Sequence, residues 1–213
     1  MERGSAAVLG LPGAAVRIAC SHTHAGPAVA LPPPWARGEA GSDTTAEDAA
    51  LEDDCPVGAH HRHSACLMDQ LAGCAFLAAQ DVRPGSAAGA AWGEGTAIGI
   101  HRRQRRAGGR IVLGENPGGP SDHRNSILGL EDGGGRPLAA VLHHACHPVM
   151  LGPDSHALSA DYVGYARAAL EAAIGVPVLF LQGACGNINP TQCGTFEVAD
   201  RHGHRPGGEA PRL

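Results

Sequence analysis

Leu138-Ala139-Ala140-Val141-Leu142-His143-His144-Ala145-Cys146-His147-Pro148 is the stretch that decides the fold. Its five leading apolar residues carry no charge and read as a buried strand. Pro148 has no N–H for a sheet ladder, so the strand ends near His147. Downstream, Val163, Ala166, Leu170 and Ile174 recur at helical spacing, which predicts a helix from about Ala160 to Ala173. Ser159 suits its N-cap and Gly175 its C-terminal stop. A second apolar run follows, Pro177-Val178-Leu179-Phe180-Leu181-Gln182. Strand, helix, strand is a βαβ unit, with parallel pairing and a right-handed crossover. Upstream, Asp132-Gly133-Gly134-Gly135 is a turn signal. Ser126 to Leu130 then reads as a short strand and hairpin partner of the Leu138 strand. The expected class is α/β: a mixed, largely parallel β-sheet flanked by helices, with long Gly/Pro-rich loops.

Both apolar runs end in polar loops. The first leads into His143-His144-Ala145-Cys146-His147, the second into Gly183-Ala184-Cys185-Gly186-Asn187-Ile188-Asn189-Pro190. A third strand-like run, Ala14 to Cys20, leads into Ser21-His22-Thr23-His24-Ala25-Gly26-Pro27. On an extended strand, residues i and i+2 share a face. His22 and His24 then reach one small volume, and Thr23 points away from it. In open α/β sheets, ligands bind beyond the carboxyl ends of the strands. One site built from three such loops is therefore expected. Neutral imidazole is a common zinc ligand, although a His-x-His pair by itself also suits a solvated surface. Asp161 falls in the first helical turn, where the helix dipole favours a carboxylate. It is equally placed to orient a ligand imidazole. Tyr162 reads as packing.

The rest of the chain is less regular. Residues 28–63 are rich in Pro, Gly, Ala and acidic groups and read as a loop or insertion, with His60-His61-Arg62-His63 at its end. Ser64 to Gln80 reads as a helix on the spacing of Leu67, Leu71, Cys74 and Ala78. Ala87 to Ile100 reads as strand mixed with turn, and Gly108 to Arg124 as a Gly/Pro-rich crossover. Residues 201–213 read as a disordered tail. A chain of 213 residues suits one domain or part of a larger one. Aromatics make up only 3%, so Ala, Val, Leu and Ile must fill the core. All 16 basic residues are arginine, and the net charge of −5 argues against a general nucleic-acid partner. The local basic run His101-Arg102-Arg103-Gln104-Arg105-Arg106 fits a solvated loop. The seven cysteines show no paired framework, so mostly reduced thiols are expected. No run approaches a membrane span, and no signal peptide follows Met1. The expected location is cytoplasmic if Met1 is the true start, or secreted if an N-terminal segment precedes it.

Six segments, in order, resemble the neutral/alkaline (non-lysosomal) ceramidase family. They are Ser21 to Pro27, Ile100-His101-Arg102-Arg103, Asn116-Pro117, Ala145-Cys146-His147-Pro148, Ser159-Ala160-Asp161-Tyr162-Val163-Gly164 and Gln182 to Pro190. The resemblance implies a zinc-dependent hydrolase of an N-acyl amide, with a ceramide-like lipid amide as substrate. It implies that residues 1–200 form a partial catalytic domain. It implies that His22 and His147 bind Zn2+, that His24 lies near the substrate carbonyl and that Arg102 helps hold the oxyanion. Where the family has Asn before that arginine, this chain has His101. The glycine-rich loop, with Gly186, Asn187 and Asn189, is implied to line the substrate pocket, and Asn189 stands where well-known members carry serine. The family's remaining zinc ligands, a Glu and a Tyr, come from sequence beyond the glycine-rich loop, which this chain does not supply. A truncated member, catalytically incomplete alone, is the alternative expectation, as is a metal hydrolase of the same fold acting on another amide or ester. Asp161, His143 and Cys20 are local candidates for a third ligand.

Overall fold

The computed structural model of this protein describes residues 10, 16–27, 57–80, 82, 85–94 and 98–208. The chain divides into two units, Met1–Ile18 with Pro27–Val82, and Ala19–Gly26 with Arg83–Leu213. Within the first, the described regular element is helix α1 (Val57–Gln80). It starts earlier than the apolar spacing from Ser64 indicates, so the His60-His61-Arg62-His63 tract is helical rather than a loop. Pro56 immediately precedes it in sequence, and proline is well suited to a helix start. The remainder of the expected loop, 28–56, lies outside the described residues.

The second unit runs β1 (Gly85–Glu94), β2 (Gly99–His101), β3 (Arg103–Arg105), β4 (Ile111–Leu113), β5 (Arg124–Asp132), β6 (Pro137–His144), α2 (Asp161–Ile174), β7 (Val178–Gln182), β8 (Ile188–Pro190) and α3 (Phe196–Gly208). Its main sheet has the order β1-β5-β6-β7, and β2–β8 and β3–β4 form two small ladders. The sheet is mixed, as expected, but antiparallel pairing prevails. Only β6–β7 is parallel, while β1–β5 and β5–β6 are antiparallel. For β5–β6 the reason is connection length, since a short turn permits only antiparallel pairing, whereas β6 and β7 are joined by a crossover through α2. The β5–β6 link is a tight turn in which the Asp132 carboxylate accepts the Gly134 and Arg136 N–H groups at 2.8 and 3.0 Å. Gly135 takes a left-handed φ of 74° there, a conformation glycine adopts without a Cβ penalty.

One face of this sheet is buried. Ile127, Leu142 and Phe180 form a cross-strand row, with Ala140 beside Val178. Tyr162, Val163, Ala166 and Leu170 of α2 belong to the same core. The opposite face leaves Trp92, Leu128, Leu130, Leu179 and Leu181 exposed. Helix α3 packs on α2 through Gly203 and Gly207. A Cβ at Gly203 would lie 2.6 Å from the Tyr162 carbonyl oxygen, so only glycine permits this approach. The segment expected to become a disordered tail at Arg201 is therefore helical to Gly208. Glycines four apart share a helix face and act here as a contact, not as a breaker. Residues 209–213 lie outside the described set.

A further correction concerns Ala14 to Cys20. Residues 16–20 have no regular secondary structure, and Ala14 and Ala15 lie outside the described residues. Two of the three expected strand-end loops thus follow strands, while the Ser21–Pro27 loop is held in another way. No helix among the described residues is long and apolar enough to cross a membrane.

Candidate metal centre

Three imidazoles converge where the parallel strands end. His147 follows β6, and the glycine-rich loop that supports it follows β7. His22 and His24 arrive on the Ser21–Pro27 loop. One potential ligand atom from each of His22, His24 and His147 lies within 4.8 Å of the others. The ring centroids are 4.9 Å apart for His22–His24, 5.0 Å for His22–His147 and 5.7 Å for His24–His147. Asp161, His143 and Cys20 are not in this set.

The Ser21–Pro27 loop is fastened by hydrogen bonds to the β6–α2 connection. The His24 N–H donates to the Pro148 carbonyl at 3.2 Å, and the Ser159 N–H to the Ala25 carbonyl at 2.8 Å. The Thr23 hydroxyl donates to the Ser159 carbonyl at 2.8 Å. Thr23 thus faces away from the imidazoles, but strand alternation is not the cause. His22 takes a left-handed φ of 64°, and Asp161 one of 53°; among the described residues no other non-glycine residue does so. Such backbone costs about 1–3 kcal/mol per residue and persists where surrounding contacts impose it. Nothing in the sequence signals either angle.

His147 is positioned most firmly. It is buried, and its Nδ1 lies 2.7 Å from the Cys185 carbonyl and 3.1 Å from that of Ile188. Those acceptors hold the proton on Nδ1, leaving the Nε2 lone pair for a metal. Burial holds the His147 pKa below the ordinary imidazole value, and the nearby Arg102 charge adds to the shift. His24 is lowered by burial too, then by His22 and Arg102. Both shifts favour the neutral ring, the form that ligates. Imidazole nitrogens are donors that suit zinc.

Arg102 is aimed by the β2–β8 ladder, which pairs Ile100 with Asn189 and His101 with Ile188. Its Nε donates to the Gly186 carbonyl at 3.1 Å and an Nη to the Asn189 Oδ1 at 3.2 Å. Its own N–H donates to the Asn187 carbonyl at 2.8 Å, and the Asn187 side chain donates to the Pro120 carbonyl at 2.8 Å. The polar groups of Gly186, Asn187 and Asn189 are thus engaged in holding Arg102 and its surroundings. Gly99 and Gly183 allow the loops to close. A Cβ on Gly183 would stand 2.8 Å from the Ala145 Cβ, and one on Gly99 would stand 3.1 Å from the Cys146 Sγ. His101, at the position where the resemblance calls for Asn, lies with its Nδ1 3.3 Å from the Asn116 Nδ2.

Asp161 does not bond a histidine. Its carboxylate accepts N–H groups from Tyr162 at 2.7 Å, Met150 at 2.8 Å and Leu151 at 3.3 Å. Burial raises its pKa, and those three donors oppose the rise. Its role in the geometry is to hold the Pro148–Leu151 turn that flanks His147. The Ser159 hydroxyl accepts the Asp161 N–H at 2.9 Å, while the N-cap position belongs to Ala160. Tyr162 is packing, as expected: fully buried, with its hydroxyl donating to the Cys146 carbonyl at 3.0 Å. The six described cysteines are free. A cavity of about 550 Å³, lined by Ile127, Leu130, Ala140, Leu170 and Ile174 among others, sits at the other end of β6 and holds none of the site residues.

No protein-family model matches this sequence. No curated protein matches it either. Solved structures do. The chain is similar to a crystal structure of neutral ceramidase from Pseudomonas aeruginosa, with a TM-score of 0.54 and 20% identity over 69% of this chain and 25% of that one. It is also similar to a ceramidase complexed with C2, with a TM-score of 0.55 and 21% identity over 69% of this chain and 25% of that one. It spans about a quarter of the length of each. This chain therefore has the fold of one part of a neutral ceramidase.

Proposed function

We propose that this chain carries the zinc-binding half-site of an amidohydrolase of the neutral ceramidase kind, which cleaves the N-acyl bond of ceramide or a related lipid amide. The observation that carries this reading is the convergence of His22, His24 and His147 beside Arg102, at strand ends, on that fold. His22 and His147 would hold zinc. When bound, zinc lowers the pKa of water to about 7 and polarises a carbonyl. Each protein group then has a separable task. The carbonyls of Cys185 and Ile188 fix the His147 tautomer. Arg102 is held by the glycine-rich loop. Its guanidinium would stabilise the oxyanion of the tetrahedral intermediate, an interaction whose loss typically raises a barrier by about 3 kcal/mol.

The test is turnover of a fluorescent ceramide together with metal analysis of the purified chain. Zinc-dependent hydrolysis that is abolished by His22→Ala, His147→Ala or a chelator supports the reading. Zinc content unchanged by both substitutions overturns it. A second reading, the same chemistry on a different amide or ester, draws on Asn189. At the position where the resemblance calls for serine, its side chain is engaged by Arg102. Faster turnover of short N-acyl substrates than of fluorescent ceramide decides for that reading.

A further inference from the structure

We infer that the cavity at the far end of β6 binds a long-chain amine, an apolar tail with a cationic head. This cavity is separate from the strand-end histidines and lies wholly within the second unit. Its volume of about 550 Å³ falls within the range of small-molecule sites, about 300–1,000 Å³. Strands β5 and β6 form its floor, α2 one wall and the end of α3 another. The space arises from residue size. At the carboxyl end of the parallel strands, Leu142, Phe180 and Tyr162 fill the gap between sheet and helix. At the opposite end Gly129 pairs with Ala140, and α2 presents Ala173. Those side chains are too short to close the gap. Leu170 and Ile174 give it apolar walls, and Leu130 lines it while remaining 37% exposed, so the cavity reaches the surface.

One charge interrupts this apolar lining. Among the described residues, Glu131 is the only ionisable one that lines the cavity. Strand alternation puts it there: Asn125, Ile127 and Gly129 are buried, and Glu131 comes next on that face, half-buried. Its carboxylate has no hydrogen-bond or ion-pair partner among the described residues. Arg136 of the adjoining turn and Arg167 of α2 pair with Asp132 and Glu171 instead. A carboxylate partly removed from water gains from a cation within hydrogen-bond reach, and an apolar wall gains from an alkyl chain. A primary alkylammonium offers both in one molecule. A fatty acid offers the chain but sets its own carboxylate against Glu131. The cavity therefore selects the amine by charge. Hydrolysis of a lipid amide releases one molecule of each kind. That the bound amine is a reaction product rests on the function proposed above; the binding itself does not.

The experiment is isothermal titration of the purified chain with decylamine, decanol and decanoate, each below its micelle concentration. Decylamine is expected to bind at one saturable site, about tenfold more tightly than decanol and more tightly still than decanoate. Glu131→Gln should bring decylamine to the affinity of decanol and leave decanol unchanged. Ala173→Phe fills the space from an exposed helix position and should weaken decylamine and decanol alike by about tenfold or more. His147→Ala should leave decylamine binding as it is, since His147 does not line the cavity. Circular dichroism of each variant keeps lost binding separate from lost folding. The inference fails if decylamine does not bind, if decanoate binds as tightly, or if Glu131→Gln keeps the preference for the amine. It fails equally if Ala173→Phe leaves decylamine binding unchanged, or if His147→Ala removes it, which would move the amine to the strand ends. A chain that turns over no ceramide yet binds decylamine in this way overturns the proposed function and leaves this inference standing.

Discussion

The strand-end loops and the helical layer of the second unit are held by different forces. Behind the sheet, Leu142, Phe180, Tyr162, Val163, Ala166 and Leu170 exclude water, and cohesion comes from apolar area at roughly 25 cal/mol per Å². At the strand ends the bonds are polar and specific: His24 to Pro148, Thr23 to Ser159, His147 to Cys185, and Arg102 to Gly186. The first region fixes whether the chain folds. The second fixes whether three imidazoles meet. The difference teaches that the stability of the fold and the geometry of the histidine cluster are separable, and it fails if substitutions in one region move both together.

The largest effect is expected from Leu142→Ala, at a fully buried position between Ile127 and Phe180. It should cost roughly 3–4 kcal/mol of unfolding free energy, read by urea titration. Metal affinity of the folded fraction should stay unchanged, and a parallel loss of Co2+ binding would break the comparison. Next in size is the acid limb of stability. Burial holds the His144 pKa down at about 4, and its Nε2 has no partner. In the unfolded chain that value returns to about 6.5, so on acidification the unfolded form takes up the proton first. The stabilisation is complete above about pH 6.5 and is lost as pH falls toward 4, on the order of 3 kcal/mol. His144→Gln should make that limb shallower by this amount, measured as melting temperature against pH. An unchanged limb would show that His144 is not its source.

Asp161→Asn sharpens the comparison from the polar side. Asparagine tolerates the left-handed backbone but presents a donor where the carboxylate accepted N–H groups. About 1–2 kcal/mol of stability and roughly tenfold in Co2+ affinity should be lost. Loss of stability alone would confine Asp161 to the fold. The smallest effect is expected from Leu179→Ser on the open face, where the residue is 62% exposed. Stability should change by less than about 0.5 kcal/mol and metal affinity not at all. A larger loss would mean that this face is covered in solution.

Much of this architecture was legible in the residues. The βαβ unit followed from two apolar runs around a helical spacing, and the hairpin from Asp132 to Gly135. The His147 loop and the glycine-rich loop therefore fell beyond the carboxyl ends of two neighbouring strands, as expected. Other features were not legible, for physical reasons. Apolar runs do not say which neighbour a strand takes, so the extent of parallel pairing was overestimated. Residues 201–213 read as a disordered tail, because the close approach of Gly203 and Gly207 to α2 is a tertiary fact. His22 and His24 do converge, but through a positive φ and long-range hydrogen bonds, not through the period of a strand. Asp161 was legible as a residue at the site, but not as the acceptor for a turn.

The fastening of Thr23 to Ser159 spans 136 residues. A ribosome makes the His22–His24 loop early, yet nothing can pin it until its distant partners have emerged. Assembly of the centre is therefore a late event in biogenesis, and long-range closure of this kind slows folding. Metal supplied during synthesis would meet separated histidines rather than a finished cage, and capture of an ion would report that these two distant segments have found each other.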